Sequence, residues 1–283
     1  MKERIKSLVG SAVKQAIKEQ QLAELPDASW QHQLAWQYAT NPGPGFNASG
    51  FQVFSQDDED GKLLYIFSQI GTTNKKCVDI AFASPIGSNT ANLIVYHGWH
   101  GFLVEGGDMA TACQYFHGNR RTNIFPPVMK QAWITTENVN NLILEAGFQG
   151  EIDLFSLDID GIDYWLWKAL DAVSPRVMVV EYQDILGPDL AVTVPYKPDF
   201  NRMDLHEDFY GASLPAFVKL AKEKGYRLVG ANRLQYNAFF VRNDIVSEHL
   251  PEVDINTCFT HPKVEEGRKT RFAKVKDLGW EHV

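Results

Sequence analysis

Glu151 to Glu181, EIDLFSLDIDGIDYWLWKALDAVSPRVMVVE, constrains the fold of this chain more than any other stretch. Ile152, Leu154, Phe155, Leu157 and Ile159 form an apolar run of strand length, too dense for a half-exposed strand. Asp158, Asp160 and Gly161 close it. Ile162, Trp165, Leu166, Ala169, Leu170 and Val173 then recur at three and four, the stripe of an amphipathic helix that Ser174-Pro175 is expected to end. Val177 to Val180 form a second buried run ending in Glu181. Strand, helix and strand at this spacing make the two strands parallel neighbours. Ligands of open parallel sheets bind beyond the carboxyl ends of their strands. Both strands end in carboxylates, so the chemistry is expected there.

The rest of the chain extends the alternation. Val78 to Phe82 reads as a strand, followed by the loop Ala83 to Ser88 and a helix from Asn89. Phe102 to Val104 is a strand ending at Glu105, with a helix over Met109 to Phe116. A strand is expected at Trp133 to Thr135 and a helix carrying Val139, Leu142 and Ile143. After the central block, Gly187 to Met203 is rich in turn residues and reads as a long functional loop. Ser213 to Ala221 is helical, and Tyr226 to Val229 and Ala238 to Val241 are paired terminal strands. The architecture expected is α/β: a seven-stranded, mainly parallel sheet with helices on both faces and an antiparallel edge. That arrangement resembles the Rossmann-like class I methyltransferase fold. Residues 1 to 54 are expected to form a helical extension and loop, 55 to 245 the main domain and 246 to 283 a tail.

The extension carries a stripe at Ile5, Leu8, Val9, Ala12, Val13, Ala16 and Ile17 with a basic opposite face. Packing on its own domain or on a second copy in a homodimer is the expectation. A net charge of -8 argues against general attraction to nucleic acid. Cys77, Cys113 and Cys258 are too scattered for a disulfide framework or zinc site, and suggest a reducing, cytoplasmic setting. No run approaches the roughly 20 apolar residues of a membrane span.

The acids divide by position. Ser55-Gln56-Asp57-Asp58-Glu59-Asp60 precedes an apolar helical stripe, where the helix dipole favours negative charge, although this gives no reason for Gln56. Asp79 and Glu105 end consecutive strands, a pairing more specific than either alone. Asp160 is expected to cap the helix that follows it and Asp163 to complement its first turn. Asp158 and Glu181 then remain without a structural reason. Two acids facing one crevice can hold a divalent cation or act as acid and base. Trp165 and Trp167 are expected in packing or at the surface, His97 and His100 in structure, and His206 in a loop near the site.

The motifs SQDDEDG, VDIAFASPIGSNTANLI, GWHGFLVEGGD, ITTENVNNLI, DLFSLDIDGIDYWLWKAL, PRVMVVEYQ, GASLPAFVKLAKEKGYRLVG and NAFFVRND, in that order, resemble the FkbM-type methyltransferase family from about Ser55 to Asp244. The resemblance implies S-adenosylmethionine as cofactor and O-methylation of a small polar acceptor, a sugar or natural product. It implies that Asp79, Asn89, Thr90 and Glu105 line the cofactor. Gln56 and Glu59 would lie near its methionine end, and Thr136 and Glu137 beside its adenine. Ala81 and Ala83 stand where the family has glycine. Related sugar O-methyltransferases use a divalent metal at the ends of the fourth and fifth strands, where Asp158 and Glu181 fall, so Mg2+ is a further candidate. Two other readings stay open. One is a nucleotide-sugar glycosyltransferase using Asp158-Ile159-Asp160 as a D-x-D metal motif; the other is a non-catalytic interaction protein on this fold.

Overall fold

The computed structural model describes residues 29–43 and 45–283; the amphipathic stripe expected over residues 1 to 24 lies outside them. A seven-stranded sheet runs in the order β3-β2-β1-β4-β5-β8-β7. Its strands are β1 (Lys76–Ile80), β2 (His100–Glu105), β3 (Val128–Gln131), β4 (Gly150–Leu157), β5 (Val173–Glu181), β7 (Tyr226–Ala231) and β8 (Asn237–Arg242). β1 to β5 pair in parallel, and β8 pairs antiparallel with both β5 and β7. β8 therefore supplies the antiparallel pairing expected at this end, and β7 lies outside it. The order reverses between β1 and β4, which opens a crevice above their carboxyl ends.

Alternate strand residues feed two cores. Leu103, Leu154, Val177 and Val179 face one, covered by α1 (Trp30–Thr40), α2 (Glu59–Ile70), α3 (Ala91–His97) and α4 (Ala110–Gly118). Phe102, Phe155, Met178 and Val180 face the other, under α5 (Val139–Glu145), α6 (Asp163–Ala169) and α7 (Leu214–Glu223). In α7, Leu214, Phe217, Leu220 and Ala221 are buried, and Ser213 Oγ caps it by accepting from the Ala216 N–H at 3.3 Å. Trp167 is fully buried in α6 against Phe240 and Phe217, as expected of a packing residue.

The structure corrects the sequence reading in two places. The third strand is Val128–Gln131, and Trp133 to Thr135 is irregular chain beyond it. β3 is an exposed edge, so its residues lack the apolar density that drew the reading to Trp133. The helix after Gly161 stops at Ala169, and Ser174 and Pro175 lie inside β5, where Ile152 is opposite Pro175. Pairing with β4 captures this segment at the start of a strand, where proline is tolerated.

Residues 246 to 283 wrap the same end of the sheet. α8 (Pro262–Thr270) lies against the turn Asp184–Leu186 and is followed by α9 (Phe272–Val275). β9 (Glu281–His282) pairs antiparallel with β6 (Val192–Thr193) inside the long loop. Among the described residues no helix is long and apolar enough to cross a membrane.

Candidate functional site

The polar half of the crevice lies over β1. Asp79 is nearly buried, and its Oδ2 accepts from Ser88 Oγ and Thr90 Oγ1, each at 2.8 Å. Burial pushes its carboxyl up to about 6, against the pull of those two hydroxyls. Asn89 Nδ2 donates to Ser156 Oγ at 3.1 Å. Asp79, Asn89, Ser156, Gln56 and Asp158 all line one cavity of about 480 Å³. Thr90 reaches it only through Asp79. The Gln56 side chain has a site here that helix capping did not supply.

Glu59 is elsewhere. Its Oε1 accepts from Asn232 Nδ2 and Asn237 Nδ2, both at 2.9 Å, and its Oε2 from the Asp57 N–H at 2.9 Å. Asp60 Oδ2 meanwhile accepts the N–H groups of Val53, Phe54 and Ser55 at 2.7–2.9 Å. The acidic run is thus a staple holding the Val53–Gln56 loop against the β7–β8 turn, beyond any simple dipole effect.

The second half is an apolar pocket of about 140 Å³ joined to the first through Ala81. Glu105 stands at its rim, with Trp133, Ile134, Ile159 and Phe200 among its walls. Glu105 Oε2 accepts from the Ala83 N–H at 2.9 Å and Oε1 from the Gly107 N–H at 2.7 Å. A carboxylate offers about four lone-pair sites, so two remain for a ligand's hydroxyls. Ala81 and Ala83 have φ of 62° and 49°. Both keep the left-handed backbone that suits glycine, so the substitution leaves the loop's path unchanged.

Thr136 and Glu137 fall outside this lining. Glu137 Oε2 accepts from the Tyr196 hydroxyl at 2.6 Å, and Thr136 Oγ1 donates to Glu137 Oε1 at 3.0 Å. The Tyr196 bond holds the Glu137 carboxyl down at about 2. Trp133 and Phe200 occupy the pocket instead; an edge-strand flank and a turn-rich loop gave them no periodic signal.

A cluster of three carboxylates adjoins the polar cavity through Asp158. Asp158, Asp160 and Glu181 each bring one oxygen within 4.8 Å of the others. Burial, followed by repulsion from neighbouring acids, raises both Asp158 and Glu181 well above the usual carboxylate range. One oxygen of each lies within 4.8 Å of the other, so each carboxylate disfavours ionisation of its neighbour.

Asp160 is the surprise in this cluster, because it does not cap α6. It stands at φ 55°, and Ile162 is the cap residue. Asp163 does the local work by reaching back to accept the N–H groups of Ile159 at 2.8 Å and Gly161 at 2.9 Å. The Asp160 carboxylate is therefore free of the helix and meets Arg202 Nη1 at 2.5 Å. Arg202 in turn lies 5.0 Å over the Tyr210 ring. His206 Nδ1 accepts from the Asp208 N–H at 3.1 Å. His97 is bonded to Gln31 at 2.9 Å, with burial lowering its pKa to about 4.

No protein-family model matches the chain, and no curated protein matches it. Among solved structures, it is similar to the pyocyanin biosynthetic protein PhzM, with TM-score 0.39 and 15% identity over 78% of this chain and 70% of that one. An O-methyltransferase from Bacillus cereus, in complex with SAH, gives TM-score 0.38 and 14% identity over 81% of this chain and 95% of that one. The O-methyltransferase NcsB1 from neocarzinostatin biosynthesis, in complex with S-adenosyl-L-homocysteine and 1,4-dihydroxy-2-naphthoic acid, gives TM-score 0.37 and 14% identity. That match covers 60% of this chain and about half, 49%, of NcsB1.

Proposed function

We infer that this protein is an S-adenosylmethionine-dependent O-methyltransferase of the FkbM type, acting on a small polar acceptor such as a sugar or glycosylated natural product. One observation carries the reading. A single crevice over the β1–β4 switch point has a carboxylate, Glu105, at the rim of an apolar pocket, a second acid, Asp79, in its polar half, and the Asp158–Glu181 pair at its far end. An adenosyl amino acid needs that order: apolar walls for a base, an acceptor for paired ribose hydroxyls, and an anionic wall for an ammonium group. The residues present fit it.

When bound, S-adenosylmethionine supplies a methyl group on a sulfonium, which is already a strong electrophile. The chain's own task is positioning and deprotonation of the acceptor hydroxyl. Asp158 lines the polar cavity beside Glu181 and would, in its ionised form, take that proton. Asp158, Asp160 and Glu181 also suit Mg2+, because they converge hard oxygen donors and carry excess negative charge that a cation relieves. A cation there would lower the pKa of a bound hydroxyl.

Calorimetric titration with S-adenosylhomocysteine tests the reading, with a nucleotide sugar as competitor class. Binding of S-adenosylhomocysteine that Glu105→Ala weakens by at least about ten-fold supports it, since two charge-assisted bonds are worth roughly 1.5–3 kcal/mol each. Binding of the nucleotide sugar alone would favour glycosyl transfer, and binding of neither would favour an interaction protein.

A further inference from the structure

Residues 194–204 cross the mouth of the apolar pocket and end at the carboxylate cluster. Four bonds mark the path. Trp165 Nε1 donates to Val194 O at 2.8 Å, and the Tyr196 hydroxyl donates to Glu137 Oε2 at 2.6 Å. Trp133 Nε1 donates to Pro198 O at 2.7 Å, and Arg202 Nη1 donates to Asp160 Oδ1 at 2.5 Å. Between the last two, Phe200 turns inward so closely that a Cβ on Gly161 would lie 2.9 Å from its ring. The pocket beneath has only about 140 Å³. Pockets that take a whole drug-sized ligand begin at roughly 300 Å³, a size this crevice reaches only with its polar half included. Pro198 and Phe200 therefore roof the apolar half and leave a base little room on that side of Ala81.

We propose that this strap is a cofactor clamp whose lifting by an adenosyl group releases Arg202 from Asp160, so that the carboxylate cluster is freed only once the cofactor is seated. The proposal rests on the methyltransferase reading and adds a binding order to it. Phe200 is the positioning residue that packs on the base. Tyr196 and Arg202 are latches: they hold the strap down without touching the cofactor. Because the strap is one short segment fixed at both ends, a rise at Phe200 is transmitted to Arg202 two residues away.

The signs of the effects separate latch from wall. With S-adenosylhomocysteine followed by tryptophan fluorescence in stopped flow, Tyr196→Phe and Arg202→Gln should each speed association about two- to five-fold, the range of an exposed polar tie. Phe200→Ala should weaken binding about ten-fold or more, and Phe200→Leu less, with unchanged circular dichroism confirming the fold. In a thermal-stability cycle, Arg202→Gln and Asp160→Asn should couple in the free protein and become additive at saturating S-adenosylhomocysteine. Latch variants that bind more slowly, or a cycle whose coupling survives saturation, would overturn the clamp while leaving the methyltransferase reading intact. If the wild-type protein does not bind S-adenosylhomocysteine in the titration, the reading fails and takes the clamp with it.

Discussion

Ala83 donates its backbone N–H to Glu105 Oε2 at 2.9 Å from a left-handed conformation, φ 49°. The amide that orients the rim carboxylate thus depends on a backbone geometry that alanine adopts at a cost. Ala81, at φ 62°, sits where the two halves of the crevice join.

Glycine at these positions should therefore be tolerated or stabilising. A left-handed L residue costs roughly 1–2 kcal/mol, whereas the extra unfolded-state freedom of glycine costs about 0.4–1 kcal/mol. Ala81→Gly and Ala83→Gly should each gain up to about 1 kcal/mol in urea unfolding. Ala91→Gly, in the first turn of α3, should lose about 1 kcal/mol instead. A loss at Ala83 equal to that at Ala91 would refute the account.

Acidity should stabilise the ligand-free protein. Asp158 and Glu181 have folded-state pKa values raised above their unfolded ones, as do Asp79 and Asp163 at about 6. The folded chain then binds protons that the unfolded chain releases, so their contribution is complete below about pH 4 and is lost as pH rises through the folded values. Tm should fall as pH rises above about 5, through the raised values of Asp79, Asp163 and Asp158. Asp158→Asn should flatten the slope and raise Tm at the alkaline end. A Tm that climbs with pH over this range would contradict the raised values.

The opposite end of the sheet carries a buried ion pair. Arg176 Nη1 donates to Asp153 Oδ1 at 2.8 Å, and the N–H groups of Thr73, Asn74 and Lys75 also donate to that carboxylate. Burial alone would raise Asp153, but Arg176 and the three amides outweigh it and hold the carboxyl below its usual value. Arg176→Met should cost about 3–5 kcal/mol by stranding a buried charge. Adding Asp153→Asn should recover part of that loss in guanidinium melts. Equal losses in the single and double variants would show that the charge is not the cause.

Gly61 should resist replacement although it lies in a helix. A Cβ there would stand 2.3 Å from both Phe51 N and Ser49 O. Helix propensity favours alanine by about 1 kcal/mol, but backbone does not yield as a flexible side chain does. Gly61→Ala should lose about 1–3 kcal/mol net and loosen the Gln56 loop, visible as faster amide exchange at residues 51–56.

What was legible in the sequence was what repeats locally. Val78 to Ile80, Phe102 to Val104 and the Ile152 to Glu181 block announce strands, and Asp79, Glu105, Asp158 and Glu181 stand out because acids at buried strand ends are anomalous. Asp160 was misjudged for an equally local reason: an acid before a helix reads as its cap, and nothing nearby shows that Asp163 has taken that task. β3 was displaced because an exposed edge carries little apolar signal, whereas Trp133 is apolar for the sake of a pocket. The strap was invisible. Trp133–Pro198, Glu137–Tyr196 and Asp160–Arg202 join residues 65, 59 and 42 positions apart, and such pairings leave no period in a chain.

The pairing of β9 with β6 has a consequence for how this protein can change. Val192 and Thr193 lie opposite His282 and Glu281, the Val283 N–H donates to Ala191 O at 3.1 Å, and the Ser213 N–H donates to Val192 O at 2.9 Å. These ties are backbone to backbone, and backbone pairing is nearly blind to side-chain identity. The long loop is thus splinted at its base by residues 281–283. Its side chains are free to change while its root stays in register.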